Sequence, residues 1–145
     1  MNLFEHILVP LDGSLHAMKA LQTALNLAAL IKAQVEVIHV IDTAQVRQIA
    51  HLLQKNAEQM QNELKDKALG ILCDAECLAR QLEMELVTHL AEGIPYEVIV
   101  DYADHHGVDL IVIGRIGTRG PRRILIGSVT ERILEAAHCH VLVVR

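Results

Sequence analysis

The sequence predicts an α/β domain: a parallel five-stranded sheet with helices on both faces, and three observations carry that expectation. Short β-branched apolar runs alternate with stretches whose apolar residues recur at helical spacing, the pattern of successive βαβ units. Hydrophobic residues make up 52% of the chain but aromatics only 2%, so the core must be aliphatic and its helices and strands must pack closely. A glycine-rich, arginine-rich segment follows the fourth apolar run, where open α/β sheets place their ligands. At 145 residues the chain reads as one domain, residues 1–145, large enough to bury roughly two thirds of its unfolded surface.

Each element has its own signal. Phe4 to Leu11 is a short apolar run ending in Pro10-Leu11-Asp12-Gly13-Ser14, a buried strand followed by a turn and a helix start. Leu15 to Ile31 repeats apolar residues at helical spacing, and Gln34 to Ile41 returns to a β-branched strand. From Thr43 to about Arg80, Gln, Glu and Lys alternate with Leu, Ile, Met and Ala at three- and four-residue intervals. This is helical territory, either one long helix or a helix interrupted at Gly70. The apolar positions do not hold a heptad for three repeats, which favours a crossover helix packed on the sheet over a coiled-coil arm. Glu83 to Ala91 reads as the third strand, Glu92 to Pro95 as a turn and Tyr96 to His106 as a helix closed by Gly107. Asp109 to Gly114 is the fourth strand, Val129 to Ala137 the last helix and His140 to Arg145 the final strand.

The segment Gly114 to Ser128 is built like an anion-holding loop. Glycine lets a backbone approach a ligand, and Gly127-Ser128 stands where it would cap a helix whose first N–H groups point outward. Four of the chain's 13 Lys and Arg fall between Arg115 and Arg123, where an even spread would put about one. No Asp or Glu lies between Asp109 and Glu131. If the strands run 3-2-1-4-5, the first and fourth are neighbours, and Asp12 faces the Gly114 loop across the crevice at the switch point. That order leaves Val141 to Val144 at an apolar edge, which predicts a homodimer through the strand His140 to Arg145.

Several function classes are excluded or displaced. The formal charge of -5, with no Trp and one Phe, argues against nucleic acid as the partner. Met1 to Pro10 lacks the basic start and long apolar region of a signal peptide, and no apolar run approaches a membrane span, so the expectation is a cytoplasmic protein without membrane insertion. Three cysteines, Cys73, Cys77 and Cys139, fit reduced thiols, and neither Cys73/Cys77 nor His138-Cys139-His140 supplies paired metal-ligand spacing. His39 reads as a packed strand histidine, and Asp101 and Asp104 as a solvated helix face.

With these residues in view the chain resembles the ATP-binding subgroup of the universal stress protein family. The family's nucleotide motif is Gly, two residues, Gly, nine residues, Gly, then Ser or Thr; Gly114, Gly117, Gly127 and Ser128 stand at those positions. Ile7 to Ser14, His39-Val40-Ile41-Asp42 and Val141 to Val144 fit the pattern too, so the match covers essentially the whole chain. The resemblance implies a Rossmann-like fold of the adenine nucleotide alpha hydrolase-like type, strand order 3-2-1-4-5 and dimer pairing through the last strand. It implies that Pro10, Asp12 and Val40 line the adenine and ribose end, with Gly114 near the ribose. Gly117, Gly127, Ser128 and Val129 would then contact phosphates through main-chain N–H groups and a hydroxyl, and Arg115 would add a phosphate contact.

The function expected is a cytoplasmic ATP-binding stress or regulatory protein, with Mg²⁺ accompanying the phosphates and a protein partner, unidentified, reading the loop. The competing readings are a slow ATPase or adenylate-handling hydrolase, and a nucleotide-independent regulatory scaffold. Efficient turnover is disfavoured because the chain has no GxxxxGK[ST] loop, no lysine in the glycine segment and no evident base to activate water.

Overall fold

The computed structural model describes residues 2–116 and 126–145. Its elements run β1 (His6–Pro10), α1 (Leu15–Ile31), β2 (Gln34–Asp42), α2 (Thr43–Leu52), α3 (Ala57–Gln81), β3 (Val87–Gly93), α4 (Pro95–His105), β4 (Leu110–Gly114), α5 (Ser128–Ala136) and β5 (His140–Val144). The strands form one parallel sheet in the order β3-β2-β1-β4-β5. The expected fold class and strand order are therefore observed.

Two aliphatic layers sandwich the sheet. On one face Ile7, Val9, Val37 and Val112 meet Ala17, Leu21, Ala24 and Leu25 of α1 and Leu72, Ala75 and Ala79 of α3. On the other, Leu8, Ile38, Ile111 and Ile113 meet Ile99 and Ala103 of α4 and Ile133 of α5. Alternate residues of β1 thus serve opposite layers, as a strand buried on both sides requires. A third, smaller cluster joins Ile41, Val46 and Ala50 to Met60 and Ala68, so the first half of α3 packs on α2 and its second half on the sheet.

The chain departs from the sequence expectation between Thr43 and Arg80. There are two helices, and the break falls at residues 53–56 rather than at Gly70. Gln54 takes a left-handed φ of 52°, and the Asn56 side chain then caps α3 by accepting the Glu58 N–H at 2.9 Å. Gly70 sits inside an unbroken α3, where an added methyl would meet nothing within 4 Å. β3 starts at Val87, later than Glu83, because helix termination occupies the intervening residues: Glu83 has φ 56° and the Met84 N–H turns back to the Ala79 carbonyl at 2.9 Å. Among the described residues no helix is long and apolar enough to cross a membrane.

Candidate functional site

A cleft of about 650 Å³ opens beyond the carboxyl ends of β1, β2 and β4, at the switch point. Pro10, Leu11, Ile38 and Val40 line it from the sheet, and Gly114, Ile116, Gly127, Ser128 and Val129 line one end. Val46, Ile49, Met60, Leu64 and Ile71 of α2 and α3 form an apolar outer wall, with Glu63 and Lys67 among them.

Most of the residues singled out from sequence converge here. Pro10, Asp12, Val40, Gly114, Gly127, Ser128 and Val129 all line the cleft. Arg115 is not among the lining residues; its peptide instead ties the segment together, its N–H donating to Val144 at 2.8 Å and its carbonyl accepting the Gly127 N–H at 2.7 Å. Gly117 lies outside the described residues, as do Arg119, Arg122 and Arg123.

Local chemistry explains each placement. Asp12 Oδ1 accepts the Ser14 N–H at 2.9 Å, turning the chain sharply through Gly13, whose φ is 84°. Ser14, not Asp12, caps α1: its Oγ accepts the Ala17 N–H at 3.1 Å. Gly114 is required by packing, because a Cβ there would stand 2.9 Å from the carbonyl carbon and oxygen of His16 in α1. The Gly114 carbonyl accepts the hydroxyl of Thr130, the one buried polar side chain among the described residues, at 2.8 Å. Gly127 is the N-cap of α5 and brings no capping side chain. With its own N–H committed to Arg115, the donors α5 presents are those of its first turn, which starts at Ser128.

The edge of β2 is open at Val40. β1 and β2 pair from His6↔Gln34 to Pro10↔Ile38, and the Leu11 N–H adds a last bond to Ile38 O at 2.9 Å. Successive peptide groups of a strand face alternate neighbours, so Val40 is next on the β1 side. The Leu11 carbonyl, however, receives His39 Nδ1 at 2.7 Å, and no backbone bond joins it to Val40. The sequence reading of His39 as a packed strand histidine missed that it lines the cleft. The α2–α3 wall was also missed; no local signal marks Lys67 or Leu64, which reach the cleft only through the placement of the helix pair.

A second polar cluster lies away from the cleft, under α4. Glu36 Oε2 accepts the Tyr102 hydroxyl at 2.8 Å and stands 2.9 Å from His6 Nε2 and 3.7 Å from His89 Nε2. Since Tyr102 gives its only proton to Glu36, the His89 nitrogen 2.6 Å from its oxygen is the donor there. Burial pushes the Glu36 carboxyl up, but the bonds from Tyr102 and His6 and the nearby histidine charge outweigh it and hold the group below the ordinary carboxylate value; burial and Glu36 push Tyr102 up to about 12. A depressed carboxyl stabilises the fold above its unfolded value of 4.5, and that contribution is lost as pH falls through the folded value. Glu36→Gln is therefore expected to cost about 1–3 kcal/mol at pH 7 and to flatten the stability slope below pH 4.5 in urea titrations; an unchanged acid limb would show that Glu36 is uncoupled.

Fold and cleft define a doubly wound α/β protein with an open cleft at its switch point. The sequence model of the Universal stress protein family matches residues 3–145, and the chain belongs to that family. It is 35% identical over 144 residues to Universal stress protein MJ0531 of Methanocaldococcus jannaschii, covering 99% of this chain and 84% of that one. It superposes on the solved structure of MJ0577 from the same organism with a TM-score of 0.84 and 29% identity, over 98% and 96% of the two chains. The universal stress protein from Archaeoglobus fulgidus, solved in complex with dAMP, shares the fold at a TM-score of 0.69 and 24% identity over the full length of both.

Proposed function

We propose that this protein is a cytoplasmic regulatory member of its family that binds ATP in the cleft and holds it without rapid hydrolysis. The carrying observation is that one cleft offers two complementary sets of polar groups: an open main-chain edge at Val40 and the amino end of α5 at Gly127 and Ser128, which no side chain caps. A peptide N–H and C=O on one residue match the acceptor N1 and donor N6 of adenine, while helix N–H groups and the Ser128 hydroxyl match phosphate. Pro10 and Asp12 would flank the base and ribose. Mg²⁺ would accompany the phosphates. The Archaeoglobus protein that shares this fold was solved in complex with dAMP, which favours an adenine nucleotide as the ligand.

Among the described residues β5 pairs only with β4, and Leu142 on it is 39% exposed. A second copy would pair with this edge, giving a homodimer.

Thermal unfolding with and without millimolar MgATP tests the reading, with GTP as control and phosphate release followed in the same samples. If the ligand stands 100-fold above its Kd, binding adds about 2.7 kcal/mol and raises the midpoint by roughly 8 °C. Sedimentation of the same sample at micromolar concentration should give the mass of two chains. No shift with any nucleotide would overturn the nucleotide reading, fast phosphate release would make the protein an ATPase, and a monomer would remove the β5 dimer.

A further inference from the structure

We propose that His39 is the positioning residue that keeps the Val40 edge open, and so sets recognition of the base; this rests on the nucleotide reading above. Leu11 is 3% exposed, and a buried carbonyl without a donor is unfavourable. If β1 continued by one more rung, the Leu11 carbonyl would take the Val40 N–H and the edge that faces the cleft would be consumed. The His39 imidazole occupies that carbonyl at 2.7 Å instead. A carbonyl can only accept, so the proton is on Nδ1, and the bond survives protonation of the second nitrogen because both nitrogens then donate. The turn that follows carries β1 away: Asp12 accepts the Ser14 N–H and Gly13 takes φ 84°. His39 thus reconciles two requirements that an apolar strand residue would set against each other, a satisfied Leu11 carbonyl and an unpaired Val40.

The chemistry needed at position 39 is a donor at the second atom beyond Cβ. Asparagine supplies one from its amide nitrogen, and valine, a good strand former, does not. His39→Asn and His39→Val therefore separate the donor from the packing. Backbone amide exchange measured by NMR on the nucleotide-free protein reads the edge directly, with Val37 as an interior reference. Val40 should exchange fast in the wild type and in His39→Asn, and at least about tenfold more slowly in His39→Val, where the extra rung forms. ATP affinity should stay within about threefold for His39→Asn and fall by about tenfold or more for His39→Val, while Val37 protection is kept in both.

The proposal is overturned if Val40 is already as protected as Val37 in the wild type, if His39→Val binds ATP like the wild type, or if it loses ATP without slowing Val40. A wild type that binds no adenine nucleotide defeats the proposed function instead, and the Val40 exchange pattern still decides whether His39 holds the edge open.

Discussion

Gly114→Ala is expected to destabilise the protein by about 1–3 kcal/mol, read as a lower urea midpoint with an unchanged slope. The methyl would sit 2.9 Å from two backbone atoms of His16, and a backbone contact cannot be relieved by a rotamer change. The helix cannot easily retreat. Its start is fixed by the Ser14 cap, and Ala17, Ala20, Leu21 and Ala24 are already pressed against the sheet at 5% exposure or less. β4 cannot retreat either, because the Gly114 carbonyl is held by Thr130 and Leu110 to Ile113 are buried. An unchanged midpoint would show that α1 and β4 can part at little cost, and would return the choice of glycine to the ligand alone.

Gly127→Val should act on binding rather than on folding. Gly127 has φ -68° and ψ 154°, extended values that valine adopts without strain, although a valine N-cap is somewhat poorer than glycine. Its side chain would stand at the mouth of α5, against the donors assigned to phosphate. The expected result is loss of most of the roughly 2.7 kcal/mol that saturating MgATP adds, against a fall of about 1 kcal/mol or less in the nucleotide-free protein. Full retention of the MgATP-induced midpoint shift in the variant would place the phosphates elsewhere.

Much of the fold could be read from the chain because its signals are local and redundant. Leu15 to Ile31 carries the apolar stripe, the Ser14 cap and the flanking strands together, and the helix occupies those residues. The region after Asp42 was harder, since its break depends on a left-handed Gln54 and an asparagine cap at Asn56. Neither outweighs a continuous helical period, whereas Gly70, the conspicuous breaker, lies on an exposed face of an unbroken α3. In the site, residue types marked Pro10, Asp12, Gly114, Gly127 and Ser128 because their chemistry is visible in the alphabet. His39 and the wall from α2 and α3 were not legible as cleft residues: the former matters through a carbonyl of Leu11, 28 positions away, and the latter through the path of a helix pair.

α3 divides its apolar contacts between two clusters. Residues up to Ala68 share their apolar contacts with α2 and with Ile41 near the end of β2, while Leu72, Ala75 and Ala79 share theirs with the main core. Ile49 and Leu64 border the cleft from the α2 cluster, and Ile71 borders it from the main core. A ligand resting against them would bridge the two clusters, converting part of its binding free energy into order of the helix pair, and the occupied and empty proteins would then differ most in α2 and the first half of α3.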